Sequence, residues 1–230
     1  MRRNWLYCLE AVFLPRLQIA LDLTNLDYAL QIAKEIINGV REEDIILEAG
    51  TPLIKSHGVK AITLLKEISE GVSVFADTKT IDAGRVEAEI AFKAGAKYAS
   101  ALSFAASETI KDMVKVASKY GGKIVVDLIN NSDPRLAITE LLRLGVEAFC
   151  LHVGVDVQRR RGITMEDLID EISKLREDFP QIILAAAGGI TPKTAEALSR
   201  IGVDIIVVGG YITRAKNPLK AAKQVLAAIS

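Results

Sequence analysis

From Leu17 to the C-terminus the chain repeats one unit, an apolar run of strand length followed by a segment with helical spacing. The eight predicted strands cover residues 17–23, 45–49, 72–76, 98–102, 123–128, 148–152, 182–186 and 204–208. These runs are apolar nearly throughout, so both faces of the sheet need cover, which favours parallel strands connected by helices. Eight strict repeats predict an α/β fold, a closed (β/α)8 TIM barrel. No Gly-x-Gly-x-x-Gly motif follows the first strand, which disfavours a dinucleotide-binding sheet.

The first sixteen residues do not fit this repeat. We therefore predict an N-terminal extension over residues 1–16 and a single barrel domain over residues 17–230. Arg2 and Arg3, followed by apolar residues 5–9, superficially resemble a signal peptide. Glu10 interrupts the apolar stretch, however, and no small-residue cleavage site follows it.

Composition disfavours several classes of function. The 29 basic and 29 acidic residues balance, so no charge excess points to nucleic acid or to an anionic membrane surface. The longest apolar runs have the length of a strand and are too short to cross a bilayer. Cys8 and Cys150 form neither a disulfide framework nor a zinc motif, so we expect a cytoplasmic protein.

Charged side chains collect where the predicted strands end, and in a TIM barrel those ends carry the active site. The residues at the ends of strands one, two, three, five and six are Asp22, Glu48, Asp77, Lys79, Asp127 and His152. Charge is costly to hold at the end of a buried strand unless its members pair or bind something. The sequence therefore predicts an active site at this rim.

The densest group of charges is the hexapeptide 77–82, which follows the third predicted strand. Asp77 and Lys79 stand two residues apart on extended chain and point the same way, whereas Asp82 lies past the turn and must reach elsewhere. Two interpretations stay open. Either the group serves catalysis, or Asp77 and Lys79 form a structural ion pair and Asp82 caps a helix that opens at Ala83.

Strands seven and eight each end in a pair of glycines that opens a helix. Backbone N–H groups exposed at such turns bind anions, and this corner of a TIM barrel often holds phosphate. The candidate phosphate-binding residues are Gly188, Gly189, Ile190, Gly209, Gly210 and Tyr211. Tight turns need glycine in any case, so it is the occurrence of two such turns on adjacent strands that favours a phosphate site.

These residues together resemble the orotidine 5′-monophosphate decarboxylase superfamily from about Leu17 to the C-terminus. The resemblance rests on Asp22, on Glu48, on the motif Asp77-x-Lys79-x-x-Asp82 and on the two glycine turns. A (β/α)8 barrel is what the superfamily implies, in agreement with the eight repeats.

Within the superfamily the chain most resembles the 3-hexulose-6-phosphate synthase family. Residues 152–158 read His-Val-Gly-Val-Asp-Val-Gln and match that family's His-x-Gly-x-Asp-x-Gln. The 3-keto-L-gulonate-6-phosphate decarboxylases instead carry Arg at the position of Val155, Glu at that of Asp127 and Thr at that of Ala187.

The resemblance implies an aldehyde-lyase (aldolase) that interconverts ribulose 5-phosphate plus formaldehyde with 3-hexulose 6-phosphate. It implies that Glu48 and Asp77 hold Mg²⁺, with Mn²⁺ as the alternative metal, and that the metal stabilises a substrate enediolate. His152 would remove the C1 proton of the pentulose, with Asp127 or Asp82 next in line as the base. Lys79 would donate a hydrogen bond to the enediolate. Asp22 would hold Lys79 or a substrate hydroxyl.

The resemblance also implies a homodimer, because the last Asp of the motif, here Asp82, reaches into the site of the neighbouring subunit. One departure concerns the phosphate: many superfamily members carry Arg directly after the strand-eight glycine, where this chain has Gly210. Phosphate binding would then rest more on backbone N–H groups of the glycine turns. Whether Arg214, four residues further on, compensates stays open.

Two alternatives to this synthase remain. A sister enzyme would decarboxylate 3-keto-L-gulonate 6-phosphate, a related sugar phosphate or orotidine 5′-monophosphate. A catalytically silent barrel would instead serve as a scaffold for a partner. The charges at the rim disfavour the scaffold, because a scaffold has no need to keep them.

Overall fold

Eight parallel strands form the centre of the protein, within the residues that the computed structural model describes, 14–69 and 71–230. The strands are β1 Arg16–Leu21, β2 Ile45–Ala49, β3 Ser73–Thr80, β4 Tyr98–Leu102, β5 Lys123–Asp127, β6 Ala148–His152, β7 Ile183–Ala187 and β8 Ile205–Val208. Each strand pairs with the next one along the chain, and β8 pairs with β1 to close the barrel. The TIM-barrel fold predicted from the eight repeats is confirmed.

Helices surround this barrel. They are α1 Leu26–Ile37, α2 Thr51–His57, α3 Lys60–Ile68, α4 Gly84–Lys93, α5 Ser107–Lys119, α6 Pro134–Leu142, α7 Val155–Arg161, α8 Ile169–Asp178, α9 Pro192–Ile201, α10 Gly210–Thr213 and α11 Pro218–Ile229, with 3-10 helices at Glu42–Asp44 and Met165–Leu168. Short extra helices, α2, α7 and α10, follow β2, β6 and β8 directly and therefore lie at the carboxyl-end rim. No helix in the described part of the chain has the length and apolar character that a bilayer span requires.

Capping residues in the sequence set where several helices begin. The Asp133 carboxylate accepts the N–H of Leu136 at 3.0 Å, and the Asn217 side chain accepts the N–H of Lys220 at 2.8 Å. A proline follows each cap at the start of α6 and α11, where the helix needs no backbone N–H donor. These local signals set where α6 and α11 begin.

Side-chain alternation along the strands sorts the barrel residues into two cores. One set faces the helices and packs against their apolar faces. The other set fills the barrel interior: Ala20, Ile46, Phe75, Val125, Ala148, Cys150, Ala185, Ala187, Ile205 and Val207. Residues two positions further along a strand share the inward direction. By this rule Asp22, Glu48, Asp77, Asp127 and His152 all face the barrel axis, one layer above the interior core.

Strand β3 departs most from the prediction, because it extends to Thr80 whereas the predicted strand ends at Ala76. The apolar pattern stops at Ala76, but the backbone continues to pair with β4, where Thr80 lies opposite Ala101. The register shifts between Ala76 and Thr80, and Lys79 has a φ of +46°. This irregularity is a bulge that turns the end of β3.

The predicted N-terminal extension lies mostly outside the described residues, which begin at residue 14. Arg16, which the prediction assigned to the extension, is the first residue of β1. Its guanidinium donates to the carbonyl of Ile45 at 2.7 Å, so the barrel begins one residue earlier than predicted.

Candidate active site

A cavity of about 870 Å³ opens at the carboxyl ends of the strands. Its floor is the interior core, where the small side chains of Ala20, Cys150 and Ala187 leave space. The predicted rim residues that line it are Asp22, Glu48, Asp77, Lys79, Asp127 and His152. The predicted phosphate-binding residues line the same cavity: Gly188, Gly189, Ile190, Gly209, Gly210 and Tyr211. The strand ends thus bring both predicted groups to one concave site.

Asp77 is held by three donors from different elements of the barrel. Ser100 Oγ donates to its Oδ1 at 2.8 Å, and Thr51 Oγ1 donates to its Oδ2 at 2.6 Å. Lys79 Nζ lies 3.1 Å from Oδ2. Asp77 is buried, and these donors from β4, α2 and β3 fix its orientation.

Lys79 links two carboxylates. Its Nζ lies 2.7 Å from Asp127 Oδ2, in addition to its contact with Asp77, and its backbone N–H donates to Ser100 Oγ at 2.9 Å. Burial alone would lower the pKa of Lys79, but the negative charges of Asp77 and Asp127 outweigh burial and raise it. The left-handed backbone of Lys79 at the bulge directs the ammonium into the site, so the lysine stays a fixed cation.

Asp127 connects the lysine to the histidine. Its Oδ2 accepts from Lys79 and lies 2.9 Å from His152 Nδ1, while its Oδ1 accepts the N–H of Ile129 at 2.9 Å. Burial alone would raise the pKa of Asp127, but its bonds to His152 and Lys79 lower it to about 2. Because a carboxylate only accepts, Nδ1 carries the proton of this bond, and Nε2 is left for a ligand.

Glu48 is buried at the floor of the cavity, where Gln18 Nε2 donates a hydrogen bond to its Oε2 at 2.7 Å. Burial and the charges of Asp77 and Asp22 raise the pKa of Glu48 well above its usual value. The Oε1 atom of Gln18 is itself buried without a hydrogen-bond partner among the described residues. This side of the site therefore holds neighbouring carboxylates and an amide oxygen that accepts no hydrogen bond from the described residues.

The donor set of Glu48 and Asp77 fits a hard divalent cation. Two inward carboxylates supply oxygen ligands and leave the remaining positions to water and substrate oxygens, as Mg²⁺ prefers. Burial and the charges of Asp77 and Asp22 raise the pKa of Glu48, and a bound cation would oppose this shift. Among the described residues, no group of three or more His, Cys, Asp and Glu side chains is placed to hold a metal by itself. A metal here would need water or substrate oxygens to complete its shell.

Asp22 lies at the edge of the cavity and has no hydrogen bond or ion pair within the described part of the chain. Although the residue is exposed, the surrounding protein partly desolvates its carboxyl, and this together with the charge of Asp77 raises its pKa. Its carboxylate packs over Gly50, where an added Cβ would lie 2.2 Å from Oδ1. Two roles were predicted for Asp22. The structure does not show the first, a contact with Lys79, because that lysine binds Asp77 and Asp127 instead. The role toward a substrate hydroxyl stays a prediction.

Asp82 is the one predicted catalytic residue that does not line the cavity. It is exposed, and it does not cap the following helix as one interpretation of the hexapeptide proposed. Helix α4 begins at Gly84, with Ala83 as an N-cap of left-handed conformation and no side-chain cap bond. After the bulge in β3, Asp82 lies outside the cavity of its own barrel.

The turn after β7 requires glycine for its backbone conformation and for its close packing, apart from any role in binding phosphate. Gly188 and Gly189 have φ values of +117° and +68°, which favour glycine. A Cβ added to Gly188 would lie 2.5 Å from the carbonyl oxygen of Val153. The turn therefore packs tightly against the segment after β6, and its phosphate-binding role stays a prediction.

Three site residues were missed by the sequence reasoning: Gln18, Thr51 and Ser100. Gln18 and Ser100 lie on strands, and both share the inward direction of the interior core, so the alternation of β1 and β4 could have identified them. Thr51 begins α2, and nothing in its local pattern shows that it reaches Asp77. The role of Asp127 between Lys79 and His152 was also not predicted.

Fold and site together define a TIM-barrel enzyme whose acid–base groups lie at the carboxyl ends of its strands. Residues 15–225 match the orotidine 5′-phosphate decarboxylase / HUMPS family, and the chain belongs to this family. The resemblance predicted from the sequence is confirmed.

Individual relatives agree with this assignment. The chain is 38% identical over 215 residues to the 3-hexulose-6-phosphate synthase of Mycobacterium gastri, covering 94% of this chain and 100% of the relative. A crystal structure of 3-hexulose-6-phosphate synthase has a TM-score of 0.85 at 38% identity, covering 94% of this chain and 100% of that one. A crystal structure of KGPDC from Streptococcus mutans has a TM-score of 0.85 at 27% identity, covering 94% of this chain and 97% of that one.

Proposed function

We propose that the protein is an aldehyde-lyase that interconverts ribulose 5-phosphate plus formaldehyde with 3-hexulose 6-phosphate. The observation that carries the proposal is the hydrogen-bonded series from His152 through Asp127 and Lys79 to Asp77. This series places a base and a fixed cation side by side, as removal of a proton next to a carbonyl requires. The 38% identity to a 3-hexulose-6-phosphate synthase supports the choice of substrate.

His152 acts as the base in this proposal. Asp127 holds its Nδ1–H, so the lone pair of Nε2 is free to take the C1 proton of ribulose 5-phosphate. The electron pair left on C1 then attacks the carbonyl carbon of formaldehyde; the new carbon–carbon bond forms as the C=O π bond opens, and the resulting alkoxide takes back the proton held by His152. In the reverse direction His152 takes the hydroxyl proton, the carbon–carbon bond breaks as formaldehyde forms, and the histidine gives the proton to C1.

Lys79 offsets the negative charge that the substrate oxygens acquire when the proton leaves. Its ammonium lies between Asp77 and Asp127, which keep it protonated and oriented. A positioned cation stabilises developing charge without reorganisation at the moment of reaction. Asp22, at the cavity edge, would accept a hydrogen bond from a substrate hydroxyl.

Glu48 and Asp77 are the proposed metal ligands, with Mg²⁺ as the metal and Mn²⁺ as its alternative. When bound, the metal supplies Lewis-acid polarisation of the substrate ketone. Gln18 holds Glu48, and Thr51 and Ser100 hold Asp77, so both carboxylates keep a fixed orientation. A cation bound here would therefore find both carboxylates already oriented.

The test is an assay of purified protein with ribulose 5-phosphate, formaldehyde and Mg²⁺, in which loss of formaldehyde is measured against an EDTA control. We expect turnover that EDTA abolishes. Glu48→Gln should lose several powers of ten in turnover, whereas Glu67→Gln, an exposed carboxylate on α3, should keep wild-type activity. Full activity in EDTA would contradict the metal proposal.

A decarboxylase is the second candidate, because a KGPDC structure has the same TM-score as the synthase, although at lower identity. The same preparation is therefore given 3-keto-L-gulonate 6-phosphate and monitored for CO2. Turnover of that compound without formaldehyde fixation would replace the synthase assignment. Absence of both activities would favour the scaffold.

A homodimer with a shared site is the proposed assembly. Asp82 is exposed and outside the cavity of its own barrel. Large apolar side chains lie exposed around it: Ile81 is 50% exposed, and Val86 and Ile90, one turn apart on α4, are 59% and 49% exposed. Such a patch beside a polar residue favours contact with a second copy, into whose cavity Asp82 would reach.

Mixed refolding of Asp82→Ala and His152→Asn proteins tests this sharing. If Asp82 serves the neighbouring site, a hetero-dimer contains one site with both lesions and one with neither. Random pairing should then restore about a quarter of all sites. If Asp82 serves its own subunit, every site keeps one lesion and the mixture stays inactive.

The proposed location is the cytoplasm. The sequence has two cysteines, and Cys150 is free and buried beneath the site. Burial raises the pKa of the Cys150 thiol well above its usual value, so it is not a reactive thiolate. A chain without a disulfide framework suits a reducing compartment.

A further inference from the structure

The cavity carries opposite charge at its two levels. Its lower level holds three buried carboxylates, Glu48, Asp77 and Asp127, beside Lys79 and His152, and Asp22 lies at its edge. Its mouth holds three exposed cations: Lys55, Arg159 and Arg214. Within residues 14–69 and 71–230, none of these three has a carboxylate partner. An anionic group of a ligand is therefore repelled by the lower level and attracted to the mouth.

Arg214 differs from the other two cations in the position of its guanidinium. The residue follows α10, and its side chain folds back over the turn after β8. A Cβ added to Gly210 would lie 2.3 Å from both Nη atoms and 2.4 Å from Cζ. The guanidinium thus occupies the space that any larger residue at position 210 would fill.

The backbone does not explain the glycine at position 210. Gly210 is not among the glycines with positive φ, so its conformation is open to other residues. The three atoms nearest to a Cβ added there all belong to the guanidinium of Arg214. The absence of a side chain at 210 therefore serves the placement of Arg214 against the cavity wall.

We propose that Arg214 binds the phosphate group of the substrate. Gly210 is needed because a side chain at that position would displace the Arg214 guanidinium from the cavity. The inference rests on the proposed function for the substrate class, a phosphorylated sugar. A guanidinium without a carboxylate partner can donate two parallel hydrogen bonds to phosphate, which an ammonium cannot reproduce. With the phosphate held at the mouth, the reacting carbons of the sugar extend toward the floor.

Calorimetric titration tests the assignment with two probes, inorganic phosphate and ribulose 5-phosphate. Arg214→Ala should weaken binding of both about ten- to a hundredfold, and Arg214→Lys should recover only part of that loss. The matched control is Lys216→Ala, which removes an exposed cation two residues away that does not line the cavity. This control should bind both probes as the wild type does.

Gly210→Ala gives an independent variant in which every charge is retained. Its methyl group displaces the flexible guanidinium, so binding of both probes should weaken although Arg214 is present. Adding Gly210→Ala to Arg214→Ala should then cost little more, because the two changes remove the same interaction. Additive losses would overturn the role assigned to Gly210, and unfolding temperatures without ligand verify that each variant is folded.

The outcomes separate this inference from the proposed reaction. Loss of phosphate affinity in Arg214→Ala without aldolase activity in the wild type would support Arg214 and overturn the reaction. Turnover in the wild type with unchanged phosphate affinity in Arg214→Ala would overturn Arg214 and leave the reaction. In the second case, Arg159→Ala and Lys55→Ala identify which other cation of the mouth binds the phosphate.

Discussion

The two ends of the barrel use charge differently. At the amino ends of the strands, Asp204 accepts from the Arg176 guanidinium and from the N–H of Leu184, and Arg16 donates to the carbonyl of Ile45. Each charge there ties one chain segment to another. At the carboxyl ends, Asp77 and Asp127 share one lysine, while Glu48 contacts no cation among the described residues. An arrangement made only for stability would not leave that carboxylate without a cation.

This difference shows which charges the fold needs and which the site needs. Pairs at the amino ends stabilise the connections between strands and helices. At the carboxyl ends Lys79 pairs with Asp77 and Asp127, but the buried Glu48 has no cation partner among the described residues, at a cost in stability that a ligand would offset. Substitutions of the site carboxylates should therefore reduce activity, whereas substitutions at the amino ends should reduce stability and leave activity unchanged.

The largest expected effect is the loss of the base. His152→Asn should slow exchange of the C1 proton of ribulose 5-phosphate into D2O by roughly a hundred- to ten-thousandfold. The asparagine side chain has no basic nitrogen in the place of Nε2 to accept that proton. His57→Asn is the control, since that ring contacts the carbonyl of Thr24 and lies outside the cavity. Exchange is followed by NMR without formaldehyde. A wild-type rate in His152→Asn would reassign the base.

Asp127→Asn compared with Asp204→Asn probes the two ends directly. Asp127→Asn should reduce turnover about a hundredfold, less than loss of the base itself, because the ring remains but loses its orientation. Asp204→Asn should leave turnover unchanged and lower the free energy of unfolding by about 1–3 kcal/mol. Equal effects on activity would contradict the division between the two ends.

The pH dependence of Asp127→Asn adds a second measurement. The folded pKa of Asp127, about 2, lies below the unfolded value of about 3.9. The carboxylate therefore stabilises the fold above the unfolded pKa, and that contribution disappears as the pH falls through about 2. We expect Asp127→Asn to be less stable than wild type at neutral pH. The gap should close on acidification, as measured by denaturant unfolding.

The smallest expected effect is a gain in stability for Glu48→Gln in EDTA. The folded pKa of Glu48 is raised, so ionisation of this buried carboxyl opposes folding. The penalty is complete above the folded pKa and is absent below the unfolded value of about 4.3. At pH 8 each kcal/mol gained raises Tm by roughly 2–4 °C, and the gain should vanish near pH 4. A lower Tm at pH 8 would mean that Glu48 supports the fold.

Much of the site follows from the order of residues along the chain. The eight repeats fix which residues stand at strand ends, and all parallel strands present those ends on the same rim. Asp22, Glu48, Asp77, Asp127 and His152 could therefore be assigned to one site. The boundaries of seven strands agree with the prediction to within two residues, because apolar alternation and turn residues mark them.

Other features depend on contacts that no local pattern contains. The bulge in β3 arises from pairing with β4 beyond the apolar residues, and it sends Lys79 into the site and Asp82 out of it. Arg214 follows the short helix α10, and its guanidinium lies over Gly210, a contact that no local pattern shows. A stretch of sequence specifies its own conformation through local preferences, but these turns depend on neighbours in space.

The sequence by itself therefore determined the barrel, its strand order and the membership of the rim, since periodicity and strand polarity are properties of the chain. Only the tertiary structure decided which of those charges bind one another. Lys79 meets Asp127 across 48 residues of sequence, and His152 meets it across 25. The pKa of each group depends on its burial and on such neighbours, so the acid–base character of the site exists only once the barrel has closed.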